Sequence, residues 1–261
     1  DHWVVEVLFL VARELQKAAD GAFLPYFWNN RLWGGVVPWL YINQTSFLTE
    51  EKAPGGDWLW SKFYPDMAPR GGGPLWEHAD ALTPKTVESF EVLQSLVAEG
   101  LAGNPAQGGG NELVSLFSRG SVGMTPAGGF WVPGLYDAGV ANDEYDVTFF
   151  PKMRGQRHQF GAGGYAIMET SPRKDEAWEW LKYCVSVEGM KIAHRKPDSS
   201  LPRKSLNDEL YGAGIGPKHW EVFYDTLTEF PDTGPMPAPP QPAGGEWARK
   251  KKRVGPLPHR P

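Results

Sequence analysis

The sequence predicts an α/β fold, and three observations carry the prediction: amphipathic helical patterns, short β-patterned runs between them, and Gly/Pro-rich punctuation at their ends. The first helix is expected over residues 4–19, where Val4, Val7, Leu8, Val11 and Leu15 recur at three-and-four spacing before Asp20-Gly21. A loop dense in aromatics follows, with Phe23, Tyr26, Phe27, Trp28 and Trp33. After Gly34-Gly35, residues 37–44 read as one or two helical turns, Pro38 being tolerated in a first turn. Residues 51–82 read as irregular, broken by Pro54-Gly55-Gly56 and Arg70-Gly71-Gly72-Gly73-Pro74. The next helix has the clearest signals: Thr83 as cap, Pro84 at the first position, an apolar face of Val87, Phe90, Leu93, Leu96 and Val97, and Gly100 as stop.

A Gly-rich connection leads to a short helix, 112–117, and a strand, 122–124. Asp146-Val147-Thr148-Phe149-Phe150, closed by Pro151, reads as a second strand and Tyr165–Met168 as a third. A helix is then expected from an N-cap at Ser171, with Pro172 first and Asp175 and Glu176 in the turn where acidic charge suits the helix dipole. Ala177, Trp180, Leu181, Cys184 and Val185 form its expected buried face. Further helices are expected from Ser186 and over 219–230. Beyond Phe230 the Pro-rich stretch and the run Arg249-Lys250-Lys251-Lys252-Arg253 read as a disordered tail, because such a segment buries too little apolar area to offset the entropy of ordering it.

Composition narrows the function. The chain of 261 residues is 41% hydrophobic and 22% charged, ordinary for a soluble globular protein, but it carries 12 Trp, 24 Pro and 31 Gly. Many tryptophans mean broad packing layers or flat surfaces on which rings stack. A net charge of −5 argues against a nucleic-acid partner and fits small neutral ligands better. Cys184 is the single cysteine, so no intrachain disulfide forms, and its helical setting predicts a buried, inert thiol. The apolar run Val4–Val11 is interrupted by Glu6 and is too short to span a bilayer. No Gly-x-Ser-x-Gly elbow, phosphate loop or histidine pair at ligand spacing occurs, and no cofactor is expected. Glu112, Asp137, Asp143, Glu144 and Asp146 fall where solvated or capping carboxylates are expected.

The order of motifs carries a resemblance. Glu112–Met124, then Gly128-Gly129-Phe130-Trp131, then Asp146–Pro151, then Gly163-Gly164-Tyr165-Ala166-Ile167, then Ser171–Glu188 resembles the carbohydrate-binding, maltose-binding-protein-like solute-binding proteins of bacterial ABC importers. In that family a helix feeds an F-x-x-G-x-x-x-M strand, a loop bears a stacking aromatic, and a G-G-x-x-x-I strand precedes an aromatic helix ending in S-x-E-G. Ser200–Ser205 resembles its P-x-R-K-S segment. The resemblance implies a type II periplasmic-binding fold, with two lobes that close on a ligand about a hinge. It also implies a sugar or oligosaccharide ligand, a membrane permease as partner, a monomer, and a periplasmic or extracellular location with the signal or lipoprotein segment missing from this chain. Nothing before Asp1 matches the family's first lobe, so the chain looks like a fragment whose first lobe is incomplete. The implied organisation is residues 1–160 as a mostly C-terminal-lobe-like ligand-binding region, 161–240 as the hinge-crossing strand and helices, and 241–261 as the basic tail.

A sugar presents a C–H face that packs on an aromatic ring and hydroxyls that need hydrogen bonds, so its site joins aromatics to backbone amides and polar side chains. Gly128, Gly129, Phe130 and Trp131, and Gly163, Gly164 and Tyr165, provide that combination on glycine loops, joined by Trp33, Trp39, Tyr41 and Asn43. Trp178 and Trp180 sit on a helix whose register is expected to bury at least Trp180. Two other readings stay open. One is a glycosidase, because among 31 acidic residues some pair comes close by chance. The other is an interaction module docking through Pro235–Pro242.

Overall fold

The structure, a computed structural model, describes residues 3–49, 51–52, 74–75, 78–104, 110–161, 163–194, 203, 205–206, 209, 216–230 and 232–236. The chain divides into two compact units, one of residues 1–126, 149–160 and 226–261, the other of residues 127–148 and 161–225.

The first unit opens with α1 (Val5–Ala19), whose end is set by Asp20 in the left-handed region (φ 43°) and Gly21 (φ 82°). β1 (Leu24–Tyr26) runs parallel to β4 (Val122–Met124), pairing Leu24 with Val122 and Tyr26 with Met124, while Ala102 bridges Tyr26 on its other side. β1 lies in the stretch read as an aromatic loop, where Pro25 hides the strand pattern. A π-type turn, Leu32–Val36, leads into α2 (Val37–Ile42), every residue of which is buried, with Pro38 in its first turn. β2 (Glu51–Lys52) and β3 (Pro74–Leu75) pair antiparallel, so the region read as irregular holds a short ladder.

α3 (Pro84–Ala98) starts as the sequence predicts, with Thr83 Oγ1 accepting the Thr86 N–H at 3.2 Å. Its buried face is rotated from the expected one: Thr86, Ser89, Leu93 and Leu96 are buried, whereas Val87 and Val97 are exposed. Partners decide this, because Thr86 Oγ1 lies 2.9 Å from Thr45 Oγ1 and Ser89 Oγ donates to the Trp39 carbonyl at 3.2 Å. α4 (Gly110–Ser118) feeds β4 as expected. The core joins Val5, Leu8 and Ala12 of α1, Tyr26, Trp28, Trp39, Leu40 and Ile42, and Leu93, Leu96 and Leu101. β5 (Gln159–Phe160) pairs parallel with β6 (Gly234–Pro235), so the expected tail begins with ordered strand; residues 237–261 lie outside the described ones.

The second unit holds a 3₁₀ turn (Gly129–Trp131), α5 (Val132–Asp137), α6 (Lys174–Cys184), α7 (Val187–Ala193) and the start of α8 (Val222–Thr228). Ser186 caps α7 as predicted, accepting the Gly189 N–H at 3.0 Å. α6 starts at Lys174 rather than after Ser171, whose Oγ bonds the Arg173 N–H instead. None of its side chains is buried, and Trp178 and Trp180 are 52% and 67% exposed, against the expectation for Trp180. Cys184 is half-buried. A helix buries its apolar stripe only as far as another element lies across it, and here the cover is partial: Ala177, Leu181 and Cys184 are half-buried.

Two expected strands are not strands. Residues 146–150 and 165–168 carry no ladder, because a β pattern becomes a strand only when a neighbouring backbone pairs with it. Phe149 and Phe150 instead anchor by ring contacts in the first unit, Phe150 against Trp39 at 5.1 Å and Phe149 against Phe230 at 4.9 Å, both edge-on.

Candidate functional site

The residues expected to bind a ligand fall into both units. In the first, Trp39, Tyr41 and Asn43 are fully buried. Trp39 packs in the core, and Tyr41 Oη donates to the Pro235 carbonyl while the Arg157 guanidinium lies 3.7 Å from its ring centre. Asn43 Nδ2 donates to the Lys85 carbonyl, Glu88 Oε2 and Ser89 Oγ at 2.7, 2.9 and 3.2 Å. The Asn43 hydrogen bond, then those from Arg154, hold the Glu88 carboxyl below its ordinary pKa. These three side chains fix α2 and α3 beneath the surface, and of the four only Trp33 reaches it.

Trp33 sits in a tightly built loop. Arg31 N–H donates to the Asn29 carbonyl at 2.8 Å and Val36 N–H to the Arg31 carbonyl at 3.0 Å, and Gly34 adopts φ 69°. A Cβ on Gly35 would lie 1.9 Å from the Asn29 carbonyl oxygen, so only glycine closes this turn. Gly34 N–H donates to Gln159 Oε1 at 2.8 Å, which ties the loop to β5. The Arg31 guanidinium stacks 5.3 Å from the centre of the Trp33 ring, and its Nε donates to the Trp33 carbonyl at 3.0 Å. Arg31, Asn29 and Gln159 escaped the sequence reading, although an arginine between Trp28 and Trp33 in a Gly-closed loop is a legible signal for a stacked cation.

In the second unit, a Cβ on Gly128 would meet the Phe130 ring at 2.6 Å, so any larger residue there would push that ring aside. The turn places Phe130 outward, 46% exposed, and Trp131 inward, 6% exposed. Gly163 and Gly164 face open space and Tyr165 is 67% exposed, so that segment presents backbone and a ring to solvent. The same unit has a cleft of about 710 Å³ lined by residues 142–146, 216–218 and 220. Asp146 closes its frame: Oδ1 accepts the N–H groups of Val147 and His219 at 2.9 and 3.0 Å, and Oδ2 meets His219 Nδ1 at 2.6 Å. Burial pushes the Asp146 carboxyl up, but these bonds more than offset it and its pKa lies below the ordinary value. Glu144 likewise caps the Ala141 N–H at 2.6 Å, so these carboxylates hold loops together as the sequence predicts.

A family model described as bacterial extracellular solute-binding protein matches residues 19–191, about two thirds of the chain. The chain belongs to that family. Among solved structures, this solute-binding protein is similar to an ABC transporter solute-binding protein from Thermotoga lettingae TMO bound with α-D-tagatose, with a TM-score of 0.70 at 16% identity, over 95% of this chain and 57% of that one. It is also similar to a cyclo/maltodextrin-binding protein complexed with maltotetraose, with a TM-score of 0.61 at 17% identity, over 92% of this chain and 55% of that one. The solute-binding protein thus has the periplasmic-binding α/β fold that its motif order implies, and spans little more than half the length of these structures. A comparison with curated proteins returned no relative. Among the described residues no helix is long and apolar enough to cross a membrane, and no three His, Cys, Asp or Glu side chains gather as metal ligands.

Proposed function

We propose that this chain is the ligand-capturing part of an ABC importer's solute-binding protein, that it binds a sugar or oligosaccharide without turning it over, and that it delivers the cargo to a membrane permease from the periplasm or cell exterior. The family match over residues 19–191 carries the reading. The rings on built turns support it: Phe130 and Tyr165, exposed in one unit, and Trp33, half-buried in the other, are aromatic side chains on turns rich in backbone N–H groups. Trp131 backs Phe130 from the inside, while Trp39, Tyr41 and Asn43 hold the Trp33 loop and its neighbours in place. Binding acts by favouring the conformation that contacts the sugar best, which is the difference a permease reads.

Intrinsic tryptophan fluorescence, titrated with mono- and oligosaccharides, tests this directly. A saturable response to one sugar, weakened about tenfold in Phe130→Ala, is expected for loss of a stacking ring. Release of shorter products from a bound oligosaccharide would replace the binding protein with an enzyme. The absence of any saturable response in a folded chain would refute sugar capture.

A further inference from the structure

We infer that the cargo carries an oxyanion, a carboxylate or phosphate on the sugar, and that Arg31 reads it; this rests on the sugar-binding reading above. Arg31 is half-buried in the loop that also carries Trp33. Its Nε donates to the Trp33 carbonyl and its Cζ lies over the Trp33 ring, 5.3 Å from the ring centre, so the guanidinium is tethered to this loop at two points. Among the described residues no carboxylate pairs with it: the ion pairs nearby in sequence or in the same unit belong to Arg13 with Glu99, Lys17 with Glu14 and Arg154 with Glu88. Two further arginines of the unit lie over rings, Arg13 over Phe9 and Arg157 over the buried Tyr41.

An arginine fixed through Nε and one ring face keeps its two terminal nitrogens as a fork, and that fork matches the two oxygens of a carboxylate or phosphate. Neutral sugar hydroxyls accept from the same fork, but an oxyanion adds charge to both hydrogen bonds. A cation that only decorated the surface would gain nothing from a loop that Gly35 must close and that Gln159 must tie to β5. The overall charge of −5 favours neutral ligands, but Arg31 carries a positive charge that no carboxylate among the described residues pairs with.

The test uses matched pairs on the 261-residue chain: D-glucose against D-glucuronate, D-galactose against D-galacturonate, and each neutral hexose against its 6-phosphate, by isothermal titration near neutral pH. The acidic member of at least one pair is expected to bind about tenfold tighter or more, with added salt eroding the preference. Carboxylate and phosphate arms separate the two kinds of oxyanion. Arg31→Gln is expected to abolish the preference, and Arg31→Lys, which keeps charge without the fork, to recover only part of it. A neutral sugar bound as tightly as its acid, or a preference that survives Arg31→Gln, overturns this inference and leaves sugar capture standing. Binding of neither member of any pair overturns this inference, and the oligosaccharide titration above decides sugar capture separately.

Discussion

His158 provides the sharpest test of the packing described above. Its side chain is 7% exposed, its ring lies 4.9 Å from that of Phe230 and 5.8 Å from that of Phe149, and its Nε2 has no hydrogen-bond partner. Burial pushes its pKa down to about 4, because the imidazolium would lose its water and gain no counter-charge. In the unfolded chain the same ring titrates at about 6.5. Above that pH both states are neutral and the full stability is present. As pH falls the unfolded state takes up a proton that the folded state refuses, so stability falls with it, by about 2 kcal/mol at about pH 5 and by about 3 kcal/mol once pH passes below the folded value. The perturbation is His158→Phe, which keeps a ring between Phe149 and Phe230 and carries no proton. Urea unfolding of both proteins near pH 7.5 and pH 5 gives two stability gaps, and carboxylate titrations common to both cancel in their difference. The gap is expected to shift toward the variant by about 2 kcal/mol at the lower pH. A shift below about 0.5 kcal/mol would mean that His158 is solvated or paired, and the reasoning would fail.

Two further outcomes follow from particular contacts. Asn43→Ala removes the donor that serves the Lys85 carbonyl, Glu88 and Ser89, so urea unfolding should show a loss of about 2 kcal/mol and the Glu88 pKa should rise toward its ordinary value in carboxyl NMR titration; a neutral substitution would show that water replaces the amide. Trp180→Lys exchanges a ring that is 67% exposed, so thermal unfolding should move by no more than the equivalent of about 0.5 kcal/mol, whereas a loss of several kcal/mol would restore the buried face that the helical register predicts.

Where local chemistry sufficed, the sequence was readable. Thr83 and Ser186 cap their helices, Asp20-Gly21 and Gly100 end theirs, and Val122–Met124 is a strand, because each depends on residues within a few positions. The order of the glycine loops and the aromatic helix was enough to place the chain in its family. The candidate site was legible only in part: the aromatics and glycines stood out, but Arg31 became notable once its guanidinium was seen stacked on Trp33, and Gln159 once its amide was seen bonded to Gly34, 125 positions earlier in the chain.

By itself, then, the sequence determined the helix ends, the turn positions, the family and the kinds of residue from which a sugar site is made. Tertiary structure alone decided which of those residues face outward. Phe130 and Trp131 are adjacent and chemically alike, yet one ring is exposed and the other is not. Thr86 and Ser89 went inside in place of Val87 and Val97, because Thr45 and the Trp39 carbonyl were there to receive their hydroxyls. Periodicity records a preference for burial, whereas burial needs a surface to pack against and a partner for every polar atom taken from water. Those partners come from distant parts of the chain, and that is why the same β pattern is a strand at Val122–Met124, beside β1, and an unpaired segment at residues 165–168.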